Sequence, residues 1–159
     1  GLMGSTPGQA RQSGCREVID EHAGIEVVGQ LEADWLQSKG MDRMKELLTA
    51  NEQIDIVYAH NDPMAVGAYL AAKEAGREDE MIFIGIDALA TPEGGIRKVM
   101  DGILTATFWY PTCGKEAIET AVKILNDEPF EERQTLPTAL ITKENAAEWL
   151  EKLGASTGS

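Results

Sequence analysis

Thiols, imidazoles and cations are what this sequence holds least of. Two cysteines, Cys15 and Cys113, and two histidines, His22 and His60, occur in 159 residues. Two distant thiols make no disulfide framework; a single bridge between them stays open, and with it the redox compartment. So few thiol and imidazole groups leave little from which to build a metal site, and none is expected. Lys and Arg number 14 against 27 Asp and Glu, a formal net charge of −13. That charge opposes a phosphate backbone, so nucleic acid is not an expected partner of this chain alone. Apolar runs are too short to cross a bilayer, and no signal or transit pattern is read in the first residues. Enzyme signatures are thin as well. There is no Gly-x-Ser-x-Gly elbow, no phosphate-loop lysine, no His-Glu-x-x-His and no Cys-x-x-Cys. The spacing of Gly1, Gly4 and Gly8 is not that of a dinucleotide fingerprint. A Cys113–His60 nucleophile pair is the one combination left; catalysis is not expected, nor is a cofactor.

What is present is a regular alternation on a scale that suits one ordinary domain. Residues 6–22 read as a helix, with Thr6 as a cap, Pro7 in the first turn and Gly24 beyond the end. Ile25 to Leu31 has the look of a strand. Met41, Met44, Leu47 and Leu48 mark a second helix, and Ile54 to Ala59 a second strand. Asp62-Pro63 reads as a cap followed by proline at the first helical position, and Gly76 as the stop of the third helix. Met81 to Ile86 is nearly continuous in apolar residues, the mark of a strand covered on both faces. Pro92 opens a fourth helix, residues 103–109 form another strand, residues 113–126 a fifth helix, and Leu136 to Ile141 a last extended piece. Thr142 caps a terminal helix that carries Trp149, and residues 155–159 read as a frayed tail. Strands alternating with helices of this length predict an α/β three-layer sandwich with a mainly parallel sheet, joined by right-handed crossovers.

In such sheets ligands bind beyond the carboxyl ends of the strands. Those positions hold an unusual set here: Arg11 after the opening segment, Asp34-Trp35 after residues 25–31, His60-Asn61-Asp62 after 54–59, Asp87 after 81–86, and Trp109-Tyr110-Pro111 after 103–109. Carboxylate and carboxamide groups accept from and donate to vicinal hydroxyls, a guanidinium donates in a fork to two neighbouring oxygens, and an aromatic face covers the C–H side of a sugar ring. Each residue also has a plainer reading. Asp62 serves as the helix cap, Asn61 and Asp87 as loop residues, Arg11 as a solvated helix residue, Trp35 and Trp109 as core, and Trp149 as helix packing. His22 and His60 read as solvated or structural. The sugar-site reading rests on five groups meeting at one edge.

The segments Gly4-Ser5-Thr6-Pro7-Gly8-Gln9-Ala10-Arg11, Ala33-Asp34-Trp35, Asn61-Asp62-Pro63-Met64-Ala65-Val66-Gly67-Ala68, Ile84-Gly85-Ile86-Asp87 and Leu104-Thr105-Ala106-Thr107 resemble the type I periplasmic sugar-binding proteins, closest in flavour to the ribose- and galactofuranose-binding group. The resemblance runs from Gly1 to about Lys143 and matches the carboxyl-terminal lobe of a two-lobed clamp. It implies a monosaccharide ligand delivered to an ABC importer permease, in a periplasmic or extracellular setting, without catalysis. The same superfamily offers two other roles, a periplasmic sugar-sensing domain of a membrane histidine kinase and the effector domain of a LacI-type repressor. Position by position, the resemblance assigns ligand contacts to Arg11, Trp35, Asn61 and Asp87, with the last contact at Trp109 or Tyr110. It implies a sugar-binding lobe over 1–110 whose first strand is truncated, a hinge crossing and crossing helix over 111–142, and a terminal helix and tail over 143–159. Hinges fall at 110–112 and near 136–142. The amino-terminal lobe is expected to be missing, so the chain reads as a fragment, and an open strand edge with uncovered apolar surface predicts a homodimer of it.

Overall fold

The computed structural model describes residues 1–154; the expected tail over 155–159 lies outside them. Helices α1 (Thr6–Ile19), α2 (Gln37–Ala50), α3 (Asp62–Glu74), α4 (Gly95–Met100), α5 (Gly114–Leu125) and α6 (Ala146–Gly154) surround strands β1 (Ile56–Tyr58), β2 (Ile82–Asp87), β3 (Ala106–Trp109) and β4 (Ala139–Thr142). The strands lie in the order β1-β2-β3-β4. β1, β2 and β3 run parallel, and β4 returns antiparallel to β3. This is the mainly parallel α/β sheet that the alternation predicts, with short strands and one reversed edge.

The pleat divides the sheet residues cleanly. Phe83, Thr107 and Ile141 are buried, and Thr107 pairs in register with Gly85 and Ile141. They meet a single cluster built from Met44, Ala65, Ala68, Ala72, Ile96, Val99 and Leu104. Tyr69 of α3 stands edge-on to Phe83 at 5.5 Å. Residues of the opposite parity, Ile56, Ile82, Phe108 and Leu140, are all more than two-fifths exposed, so that face of the sheet stays largely open. α2 approaches α3 at backbone distance: a Cβ at Gly40 would strike the Met64 backbone, and one at Gly67 the Gln37 carbonyl. Gly76 ends α3 as expected, in a left-handed conformation (φ +68°) that costs glycine nothing.

Several local expectations are corrected. Residues 25–31 form no strand and join no sheet; Ile25, Val27, Val28 and Leu31 remain about two-fifths exposed. An alternating apolar pattern makes a strand only where a neighbour supplies hydrogen bonds, and none of the described strands lies beside it. Ser5, not Thr6, caps α1, accepting from the Gly8 amide at 3.3 Å. Asn61, not Asp62, caps α3, accepting from the Met64 amide at 3.0 Å. Thr142 belongs to β4 and caps no helix. α4 begins at Gly95, three residues after Pro92. Cys15 and Cys113 are both free thiols.

Candidate functional site

Five side chains meet at the carboxyl end of the sheet around a cavity of about 270 Å³: Arg11, Trp35, Asn61, Asp87 and Tyr110, with Pro7 beside them. Small-molecule sites run from roughly 300 Å³ upward, so this is a shallow half-site with one wall. A somewhat larger depression, about 320 Å³, lies between α2 and α3 and is lined by Lys45, Glu74 and Arg77. Lys45 and Glu74 are paired at 2.7 Å, and Arg77 pairs with Glu80 at 2.8 Å. Its cations are taken up by these ion pairs, and no aromatic face lines it.

Arg11 is the centre of the site. It sits on α1, and its guanidinium donates to the His60 carbonyl and lies 3.7 Å from an Asp87 carboxylate oxygen. Its Cζ stands 5.6 Å from the Trp35 ring and 5.4 Å from the Tyr110 ring. Flanking by two aromatic rings and one carboxylate holds the planar cation in place before any ligand arrives. Asp87 also accepts from the Tyr110 hydroxyl at 3.0 Å. Burial pushes the Asp87 carboxyl above its usual range, opposed by the Tyr110 bond and the Arg11 charge. Burial likewise raises the Tyr110 phenol.

Two corners of strained backbone frame the cavity. Asp34 and Trp35 have φ of 47° and 66°, and Asp87 and Ala88 have φ of 130° and 49°. Left-handed conformations are costly for non-glycine residues and persist where the surroundings enforce them. The first corner is anchored by an Asp34–Lys39 ion pair and by the Asn61 amide, which donates to the Trp35 carbonyl at 3.1 Å. Asn61 thus spends its oxygen on the α3 cap and one amide hydrogen on Trp35; its second amide hydrogen is its remaining donor.

Of the two aromatics assigned to the last contact, the structure brings Tyr110 to the cavity and takes Trp109 away from it. Trp109 packs on Trp149 with ring centroids 5.0 Å apart and joins the partly buried shell of the core. Successive strand side chains point to opposite sides, so the two cannot share one role. His60, read from sequence as solvated or structural, lies buried behind the cavity: its ring is 6.4 Å from Trp35 and 5.5 Å from Tyr58, and its Nδ1 has no partner. Burial, with help from the Gly1 ammonium and Arg11, lowers its pKa to about 4, so it is neutral at pH 7. Among the described residues no cluster of His, Cys, Asp and Glu is arranged to hold a metal ion.

The assembled groups can grip a neutral, hydroxyl-rich ring: a cation and an anion for vicinal hydroxyls, and two aromatic faces. Comparison with known proteins agrees with that chemistry. A family model described as periplasmic binding protein domain matches residues 1–129. A putative rhizopine-binding protein of Rhizobium meliloti is 33% identical over 156 residues, covering 93% of this chain and 50% of that protein. The ribose import binding protein of Escherichia coli is 33% identical over 146 residues, covering 91% and 48%. Among solved structures, a fructose-binding periplasmic domain of a hybrid two-component system superposes with a TM-score of 0.95 at 39% identity, covering 99% of this chain and 52% of that one. A solute-binding protein of an ABC transporter from Bacillus halodurans, with bound myo-inositol, gives 0.86 at 36%, covering 96% and 52%. The chain spans about half the length of the curated relatives it matches.

Proposed function

The chain belongs to the periplasmic binding protein domain family, and from that premise we propose that it is the monosaccharide-binding lobe of a solute-binding protein that serves an ABC importer. The observation that carries this reading is the Arg11–Asp87 pair set between the Trp35 and Tyr110 rings over an open cavity. Residues 1–110 form the ligand wall, residues 111–142 cross toward a second wall and return, and α6 (Ala146–Gly154) closes the lobe. The ligand is a cyclic polyol, held by hydrogen bonds and ring stacking without bond cleavage. Named relatives that are binding proteins support a non-catalytic role, and the likeness to the periplasmic domain of a two-component system supports a periplasmic or extracellular setting. No helix of the described residues is long and apolar enough to cross a membrane. A net charge of −13 speaks against nucleic acid as a partner.

A second reading has its own support. The hybrid two-component neighbour matches 99% of the chain at 39% identity, so sugar sensing by a membrane kinase uses the same wall. Calorimetry of the full-length protein against pentoses, hexoses and inositols tests both. Binding of one aldose or ketose in preference to the rest is expected; no heat with any of them overturns both readings. Stimulation of transport against stimulation of phosphotransfer then separates importer from sensor. The 159-residue chain by itself is expected to form a homodimer, because α5 and the open sheet face expose Ile118, Leu125, Phe108 and Leu140.

A further inference from the structure

The residue that best explains the shape of the site does not line it. Asp62 follows the Asn61 cap in the first turn of α3, is 4% exposed, and points its carboxylate inward. One oxygen accepts from the Ala88 amide at 2.8 Å and the other from the Thr107 hydroxyl at 2.6 Å. The structure clears space for it on two other elements: a Cβ at Gly85 of β2, or at Gly95 at the start of α4, would collide with the carboxylate. Gly85 is the glycine of the Gly85-Ile86-Asp87 motif, so that motif has a physical reason, namely room for Asp62 two residues before the ligand-facing Asp87. None of the ion pairs described includes Asp62, and a buried carboxylate without a partner cation is costly. What it secures is the amide of Ala88, itself wholly buried and left-handed, next to Asp87 with φ 130°.

We infer that Asp62 is a positioning residue for the ligand site: by fixing the Ala88 amide it holds the Asp87–Ala88 corner in its left-handed form and so aims the Asp87 carboxylate at the ligand. This rests on the reading of the cavity as a sugar site. Without an acceptor the Ala88 amide is buried and unpaired, the corner relaxes toward ordinary extended backbone, and Asp87 turns from Arg11 and Tyr110. A neutral amide suffices for the role. Asparagine at 62 presents its oxygen to Ala88 and its amide to Thr107, whose hydroxyl rotates to accept.

The test uses the full-length protein with three variants: Asp62→Ala, Asp62→Asn, and Val99→Ala as a control for general core loosening, since Val99 is 1% exposed in α4 and takes no part in the site. The readouts are the sugar dissociation constant by calorimetry and hydrogen exchange at the Ala88 amide by NMR without sugar. Asp62→Ala is expected to weaken binding tenfold or more and to speed Ala88 exchange selectively. Asp62→Asn is expected to keep both within threefold of wild type, and Val99→Ala to leave binding unchanged. Should the alanine variant not fold, Asp62→Ser, too short to span both partners, carries the same expectation. Equal loss of affinity in Asp62→Ala and Val99→Ala, or unchanged affinity in Asp62→Ala, overturns the inference and leaves the sugar site standing. Absence of sugar binding by the wild type overturns the site reading instead, and the inference falls with it even if Ala88 exchange follows Asp62.

Discussion

Helices α3 and α5 are nearly equal in length, 13 and 12 residues, yet α3 buries eight of its residues and α5 buries none. α3 is rich in alanine and apolar nearly all round, the pattern of a helix enclosed by its neighbours. α5 carries one apolar stripe, with Ile118, Val122 and Leu125 at helical spacing and charged residues opposite. That stripe is written for a partner, and the described residues provide none: Ile118 is 67% and Leu125 83% exposed. Residues 25–31 repeat the lesson outside any helix or strand. The core closes on itself between α2 and α6, while these two segments carry apolar residues that the described residues leave uncovered.

Truncation of one apolar residue in each helix gives the largest expected contrast. Met64→Ala, in α3 at 4% exposure, removes packed atoms and leaves a hole, a loss of roughly 2–5 kcal/mol. Ile118→Ala in α5 removes atoms already in water and is expected within about 0.5 kcal/mol of wild type. Urea unfolding of the 159-residue chain, diluted until light scattering shows a monomer, measures both. Similar losses at the two positions would mean that α5 is covered in solution.

The site draws on the closed half of the molecule. Asp87→Ala in the full-length protein is expected to weaken sugar binding by about 1.5–3 kcal/mol, the scale of hydrogen bonds to a charged group. Trp109→Phe, which changes a core contact with Trp149 and not the cavity, is expected to leave affinity unaltered. A calorimetric result in the reverse order would move the site off the Asp87 corner. The open half governs association. Replacing Ile118 and Leu125 together by lysine brings the net charge toward zero, which by charge alone favours self-association; loss of the homodimer in light scattering would therefore be due to the apolar stripe.

How much was legible follows the same division. Periodicity found α2, α3, α5 and the parallel core strands, since those patterns are answered by neighbours within the chain. It misread residues 25–31, because a strand's pattern is local and its hydrogen bonds are not. The cap of α3 was misplaced by one residue: Asn61 and Asp62 have the same local propensity, and only tertiary contact distinguishes them. Asp62 turned inward because Thr107 and Ala88 wait for it, 45 and 26 residues away. Asn61, Asp87 and Tyr110 were legible as residues at strand ends, whereas Arg11 and Trp35 precede every described strand and were singled out by residue type and by the strand expected over 25–31. The choice of Tyr110 over Trp109 needed the pleat, which sends one to Trp149 and the other to Asp87.

The smallest effect expected is the pH dependence of stability in the wild type, because two buried groups of the closed half oppose each other. Burial raises the Asp62 carboxyl from 3.8 to about 7, against the Thr107 and Ala88 bonds that lower it. The native state then holds a proton that the unfolded chain releases, so this group's contribution is complete below about pH 4 and is lost as pH rises to about 7. His60 runs the other way. Its pKa falls from 6.5 to about 4, so the unfolded chain takes up a proton that the native state refuses, and stability is complete above 6.5 and lost as pH falls toward 4. Asp87, shifted upward by burial, adds to the Asp62 slope. Between pH 4 and 6.5 the slopes largely cancel; a shallow decline remains, steepest between 6.5 and 7 where His60 no longer contributes, of about 1 kcal/mol or less. Asp62→Asn removes the Asp62 part of the descending limb and leaves that of Asp87, so its urea midpoint should climb more steeply from pH 4 to 6.5 than the wild type's. A variant whose midpoint follows the wild-type curve throughout would show that the Asp62 carboxyl does not titrate in this window, and that its burial costs less than the geometry implies.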